Sequence, residues 1–363
     1  MNLINLLQWK SGYSGFGSYV RRVVPFISGS RLQVNQNGLV ELIDEKDWST
    51  MSPPLAKELS KRYFQKASLL QFAIQCRKII QDSEINIKDI NRIYSPFLDF
   101  LWELRDKPQL ITCPDLIQST YRITNKSYLR AKLFQPLHIK LSPKIITYSK
   151  YVADQLVRIG VPHSKLEIIP CGIRISRSRV LKPHSQDFIV IARHDKHKNL
   201  EYLIKAIEKF YKITPDWKGV LRIVGKFGSL TKKLNKIIDN YKFNSKVYLI
   251  ENINSIELIN LIRQSFVLIA PSIEEGFDYP ILEAKAEGIP TLISNIKVHK
   301  EFHAETSLFF ELDKEMDSLS RSLDELINNS FLWNDLSLKG FQLASSMTVD
   351  KQVSQINEQL YSL

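Results

Sequence analysis

No apolar run in this chain approaches the ~18 residues that a helix needs to cross a bilayer. The first ten residues, MNLINLLQWK, lack a basic leader and a cleavage site, and they read as a first strand. Cysteine is scarce: Cys76, Cys113 and Cys171 are odd in number, far apart and without metal-ligand spacing. The expectation is a reduced, cytosolic protein without a disulfide framework. Whole chemistries are missing as motifs. There is no GxSxG hydrolase elbow, and no P-loop glycine pattern precedes Lys226. His299 and His303 stand four apart, but Lys300 occupies the place where a zinc protease requires Glu. Those two histidines read instead as part of a partly exposed helix. Internal repeats and low-complexity segments are also lacking.

Acidic residues are unevenly absent. Residues 1–180 hold 27 Lys and Arg against 14 Asp and Glu, whereas residues 181–363 hold 23 against 24, so the net charge of +12 arises in the first half. Residues 116–153 contain no acid at all, but carry Arg122, Lys126, Arg130, Lys132, Lys140, Lys144 and Lys150. Such a segment suits an anionic membrane surface, at about 1 kcal/mol per basic residue. It equally fits a solvated basic face. Nucleic acid is not expected as a partner, because no helix-turn-helix, zinc-finger or RNA-binding aromatic signature accompanies the charge.

What is present is alternation. Short β-rich runs at 3–9, 39–43, 110–113, 144–148 and 166–169 are interleaved with helical patterns at 54–80 and 149–159. Residues 171–186 have no periodicity and read as a linker. The alternation then restarts, with strands at 188–192, 220–224, 247–250, 266–270 and 291–293 and helices at 199–213, 229–241, 255–263 and 280–288. This pattern predicts two Rossmann-like, doubly wound α/β domains. Residues 1–172 form the first, 173–186 the linker and 187–345 the second, and a helix at 346–363 returns to the first lobe.

Ligands of such sheets sit beyond the carboxyl ends of the strands, and the informative residues fall there. The densest segment is 271–294, PSIEEGFDYPILEAKAEGIPTLIS. Glu275 on a loop and Glu283 inside the following helix flank a helix start, whose free N–H groups suit a diphosphate. Ionised carboxylates accept hydrogen bonds from hydroxyls, so the set describes a nucleotide-sugar. From spacing alone it also fits an ordinary strand–loop–helix with a solvated acidic loop. Gly12, Gly15 and Gly17 follow the first strand and precede a helix. Arg193 and Lys198 in RHDKHKN can neutralise a leaving diphosphate. A metal site on His194, Asp195 and His197 is disfavoured by the cations between them. IVGKFG, with Gly225, marks another strand end close to ligand or a plain turn.

In order along the chain, these segments resemble the retaining glycosyltransferases of family 4, which have the two-lobed GT-B fold with a central cleft. The resemblance rests on Gly15-Phe16-Gly17-Ser18-Tyr19-Val20, ITCPDL, IITYSKYVADQL, LEIIPCGI, IARHDKHKN, IVGKFG and the E-x7-E signature of Glu275 and Glu283. It implies that Arg193 and Lys198 bind the donor diphosphate, that Glu275 contacts the transferred sugar, and that Glu283 contacts the ribose. Gly15, Phe16, Gly17, Gly225, Gly276, Phe277, Asp278, Tyr279, Pro280 and Ile281 would line the donor, and Asp115 the acceptor side. It further implies a UDP- or GDP-linked hexose donor, with mannose a candidate sugar, and a glycan or lipid-linked acceptor in surface polysaccharide or glycolipid synthesis. No metal and no separate cofactor are expected. Location would be cytoplasmic or peripheral on the inner membrane face.

Three positions depart from the family pattern. Pro114 replaces the histidine usual before Asp115, Asp278 replaces the glycine of EGFG, and Ala192 replaces a glycine before the basic motif. The first two keep open an alternative, a non-catalytic sugar-nucleotide-binding or scaffold protein on the same fold.

Overall fold

The computed structural model describes residues 1–7, 9, 15–34, 40–43, 86–120, 128, 131–175 and 177–363. The helix expected at 54–80, the residues Gly12 and Cys76, and the basic residues Arg122, Lys126 and Arg130 lie outside them. The chain divides into two compact units, Met1–Pro170 with Val349–Leu363, and Cys171–Thr348.

The first unit is built on a seven-stranded sheet. Its strands are β1 (Asn2–Asn5), β2 (Ser30–Val34), β3 (Val40–Ile43), β4 (Arg92–Ser95), β5 (Gln109–Cys113), β6 (Lys144–Thr147) and β7 (Leu166–Ile168), in the spatial order β3-β2-β1-β4-β5-β6-β7. All neighbours are parallel except β2 and β3. Every residue of β5 is buried, as a parallel strand covered on both faces requires. Gly15, Phe16 and Gly17 form the first turn of helix α1 (Gly15–Val23). The C-terminal helix, Val349–Tyr361, belongs to this unit: Val349, Val353, Ile356 and Leu360 pack with Ile4, Val20, Tyr94 and Leu110. The return of the last helix to the first lobe was expected from the sequence. The strands β2 and β4 were not.

The second unit holds six parallel strands: β8 (Phe188–Ile191), β9 (Leu221–Val224), β10 (Val247–Ile250), β11 (Val267–Ala270), β12 (Thr291–Ser294) and β13 (Leu308–Phe310). Their order is β10-β9-β8-β11-β12-β13. The chain runs outward from β8 to β10, then returns to lay β11 on the other side of β8. The carboxyl ends of β8 and β11 therefore flank the point where the winding reverses, which is where open α/β sheets form their ligand crevice. Among the described residues of 171–186 there is almost no regular structure, yet Val180 is buried in this unit's core and its N–H donates to the Glu287 carbonyl at 3.0 Å. Among the described residues, no helix is long and apolar enough to cross a membrane.

Gly225 ends β9 for a packing reason. Its N–H donates to the Ile250 carbonyl at 2.9 Å, and a Cβ there would lie 2.1 Å from the carbonyl oxygen of Ala192. Backbone of the neighbouring strand cannot yield as a flexible side chain can. Gly225→Ala is expected to destabilise the protein by about 1–3 kcal/mol, read as a lower urea midpoint or Tm.

Candidate active site

Two loops build the site, one after β8 and one after β11. Beyond Ile191 the chain passes through Ala192, Arg193, His194 and Asp195 into a 3-10 turn, Lys196–Lys198. Asn199 then takes left-handed backbone angles (φ 53°, ψ 36°) before helix Leu200–Ile213 begins. Asn tolerates that region because its short side chain avoids most of the steric penalty. The turn is fixed by the Lys198 N–H donating to the Asp195 carbonyl at 3.1 Å, and it is stitched to the second loop by the Ile273 N–H donating to the His197 carbonyl at 2.9 Å. The second loop runs from Pro271 to Asp278 and feeds the helix Tyr279–Ala286, with Pro280 in its first turn. Asp278, the residue standing where the family pattern has glycine, keeps a glycine-like backbone (φ 63°, ψ 68°). Such a conformation is far commoner for Asp than for bulky residues.

Lys198 is the centre of the arrangement. Its ammonium lies 2.5 Å from Glu275 Oε1 and 3.2 Å from Asp278 Oδ1, and both carboxylates are buried. Burial works to lower the lysine's pKa, but the charges of Asp278 and Glu275 outweigh it and hold it above the ordinary lysine value. For Glu275, burial and the neighbouring Asp278 charge raise the carboxyl above its usual range, with Lys198 opposing them. Asp278 goes the other way: burial pushes its pKa up, but the charge of Lys198 and the His299 contact prevail and hold it below the usual range. One ammonium thus serves two carboxylates.

Asp278 has a second partner. Its Oδ2 lies 3.2 Å from Nε2 of His299, whose side chain is fully buried. His303 is buried as well: the pair lies on a partly exposed helix, as expected, but on its buried face. The helix Lys297–His303 does expose Lys300 and Glu301, but it turns Val298, His299 and His303 inward. A charged stretch suggested a solvated face, and no local signal announced a buried acid waiting for His299.

The other predicted residues divide. Arg193 is half exposed, and its Nε lies 3.2 Å from the buried Asp195 carboxylate. Glu283 sits one turn into its helix, partly buried. Ile281 belongs to the hydrophobic core, and Phe277 is buried against Phe302 with ring centroids 4.8 Å apart. Tyr279 donates its hydroxyl to the Gly172 carbonyl at 3.0 Å. Only backbone is left to a ligand at 277 and 281. Gly276 lies in the loop beside Glu275. In the first unit, Asp115 accepts from the Ile117 N–H at 3.0 Å, starting the short helix Ile117–Thr120. Sequence reasoning missed His299, and it missed Lys285, a lysine buried one turn beyond Ile281. Among the described residues no cluster of His, Cys, Asp and Glu is arranged to hold a metal ion.

Two family descriptions match this chain, "Glycosyl transferases group 1" over residues 173–341 and "Glycosyltransferase Family 4" over residues 53–177. The two matches run consecutively over residues 53–341, and what they support is a family 4-type glycosyltransferase. Among curated relatives is the O-antigen chain mannosyltransferase RfbU of Salmonella typhimurium, 25% identical over 60% of this chain and 61% of that protein. Another is the serotype-specific mannosyltransferase WbdA of Escherichia coli, 28% identical over 38% of this chain and 17% of that protein. The matched stretches thus span under two thirds of either relative. Among solved structures, the Anabaena protein HepE in complex with UDP-glucose superposes with a TM-score of 0.75 at 16% identity, over 100% of both chains. Sucrose-phosphate synthase of Thermosynechococcus elongatus gives 0.75 at 16%, over 99% of this chain and 98% of its own. These likenesses show the GT-B fold. Within the glycosyltransferase family pattern, Asp278 is the departure with the largest electrostatic consequence, since it brings a second carboxylate onto Lys198.

Lys198→Met tests the network. Two buried carboxylates then lose their cation, and stability at pH 7 is expected to fall by about 3–5 kcal/mol. In the unsubstituted protein Asp278 has a depressed pKa, so its contribution is complete above the ordinary carboxylate range and is lost as pH falls below it. In the variant both carboxyls are raised, and taking up a proton relieves them. The stability gap should therefore narrow as the pH is lowered from 7 towards 5, measured by urea denaturation at each pH.

Proposed function

We propose that this chain transfers a hexose from a nucleoside-diphosphate sugar to a glycan or lipid-linked acceptor with retention of anomeric configuration and without a metal. The observation that carries this reading is the position of Lys198, a partly buried and fully charged ammonium at the winding reversal, paired with the first glutamate of the E-x7-E signature. A cation fixed there in low-dielectric surroundings is suited to charge that develops on a departing diphosphate. Arg193, half exposed beside it, would supply further positive charge. Glu275 would accept hydrogen bonds from the transferred sugar and Glu283 from the ribose, while a front-face attack lets the leaving phosphate oxygen take the acceptor's proton.

The relatives named as mannosyltransferases make mannose the first sugar to test, and the UDP-glucose complex of HepE makes UDP-sugars the second. Lys132, Lys140, Lys144 and Lys150 of the first unit suit an acceptor carried on an anionic membrane or a phosphorylated lipid. Those preferences would place the protein on the inner membrane face. A second reading, sugar-nucleotide binding without transfer, is favoured by one observation: Asp278 shares the ammonium that the diphosphate would use.

A thermal-shift panel of UDP-, GDP- and ADP-sugars, followed by a transfer and donor-hydrolysis assay with the donor that raises Tm, tests the proposal. Glu275→Ala should reduce turnover by at least about a hundredfold. Lys339→Ala, which breaks only an exposed pair with Asp335, should leave turnover unchanged. No thermal shift with any donor would remove the reading, and binding without turnover would support the second one.

A further inference from the structure

The hydrogen-bond donors around His299 do not balance for a neutral ring. Its Nδ1 lies 2.9 Å from the Ser294 carbonyl oxygen, which can only accept. The same nitrogen lies 3.3 Å from Ser294 Oγ, but that hydroxyl's proton is already donated to the Ser272 carbonyl at 2.5 Å. Nδ1 must therefore carry a hydrogen. At the other end of the ring, Nε2 faces Asp278 Oδ2 at 3.2 Å. A neutral imidazole protonated on Nδ1 presents a bare lone pair at Nε2, and a lone pair opposite a carboxylate oxygen is repulsive. One further proton has to lie in this contact.

We infer that His299 is an imidazolium bound to the Asp278 carboxylate, and that this proton-loaded pair is a positioning element that sets how readily Lys198 takes a diphosphate. The second half rests on the donor-site reading above. With the proton present, Lys198 and His299 balance Glu275 and Asp278, and the cluster is neutral. Without it, one carboxylate is left uncompensated beside the place a diphosphate must occupy. His299 would then act on the donor through Asp278, without touching it.

The surroundings agree with this assignment. Lys198 favours the ionised form of Asp278, which leaves the shared proton on the histidine. The titratable groups around the pair are Lys198, Glu275 and His197 on the loop side, with Lys285 and His303 on the helix side. Burial, helped by the Lys198 charge, lowers the His197 pKa to about 4, and burial lowers Lys285 and His303 well below their ordinary values. Lys285 and His303 lie against each other, Nζ to Nδ1 at 3.2 Å. The two histidines are thus held neutral, and the Asp278 carboxylate has Lys198 and His299 as its ion-pair partners. Lys300 and Glu301 of the same helix are on its exposed side.

Two measurements test the inference. The first is the 15N spectrum of histidine-labelled free protein at pH 7, with His299→Gln used for assignment. Both nitrogens of His299 should be protonated in the unsubstituted protein. In Asp278→Asn, whose amide can donate to Nε2, the ring should revert to the Nδ1–H tautomer. A bare Nε2 in the unsubstituted protein overturns the assignment.

The second is calorimetric binding of UDP-glucose and GDP-mannose at pH 7. His299→Gln, which leaves the Asp278 carboxylate without its cationic partner, should bind about tenfold more weakly than the unsubstituted protein, and the Asp278→Asn, His299→Gln double variant should recover. That recovery separates positioning from a merely damaged fold. Full affinity in His299→Gln, or no recovery in the double variant, overturns the proposed effect on the donor. No binding by any form instead removes the donor-site reading, and the spectrum still decides the protonation of His299.

Discussion

Lys198 reaches 2.5 Å from Glu275 and 3.2 Å from Asp278, and most of the second unit can be understood as the framework that makes this contact hold. Charges removed from water are costly, and attraction offsets that cost only where geometry is tightly fixed. Here it is fixed three ways. The strand order puts the ends of β8 and β11 side by side. The Ile273 N–H bonded to the His197 carbonyl ties the two loops together. Left-handed backbone at Asn199 and at Asp278 turns each loop abruptly into its helix. An ion pair of this kind is weak evidence for stability in itself. Its value lies in holding a full positive charge in a dry place where anionic charge can arrive.

The fold was legible because parallel strands covered on both faces are continuous apolar runs, such as Val267–Ala270, and the helices between them carry turn residues at their ends. β2 and β4 escaped for the opposite reason. Ser30–Val34 contains Arg31 and Gln33, and Arg92–Ser95 opens on Arg and closes on Ser, so neither shows a clean apolar pattern. Arg31 is nevertheless fully buried, with guanidinium hydrogen bonds to the carbonyls of Val24 at 3.0 Å and Ile27 at 2.8 Å. The polar residues are inside because backbone acceptors wait for them, and such acceptors leave no mark on the sequence.

The candidate site was legible in part. Arg193, Lys198, Glu275 and Glu283 were singled out because the chemistry of a diphosphate and a sugar needs cations and acceptors at strand ends, and the structure brings Lys198 and Glu275 together. Their support was not legible. Nothing in the local sequence distinguishes His299, which meets Asp278, from a solvated histidine on a charged helix. Phe277 and Ile281 also lie inside the signature, and their side chains are buried in the protein, which leaves their backbone to face a ligand. A motif records which positions are constrained. It does not say whether a ligand or the protein interior imposes the constraint.

Asp278 shows how one substitution recruits residues far along the chain. The backbone at this position demands glycine or a residue able to imitate it, and Asp can do so. Once a carboxylate stands at the start of the helix Tyr279–Ala286, it meets the favourable end of the helix dipole and the Lys198 ammonium. Both are features that a bound diphosphate would use. For a diphosphate bound there the carboxylate would be an internal competitor, and its effect would depend on what else holds it. His299 does so from the helix Lys297–His303, steadied at its other nitrogen by the carbonyl of Ser294 at the end of β12. With glycine at 278, a fully buried imidazole at 299 would lose that acceptor at Nε2. The Lys198 network as this chain builds it consequently extends from the loop after β8 to the end of β12, across a histidine that no binding signature contains.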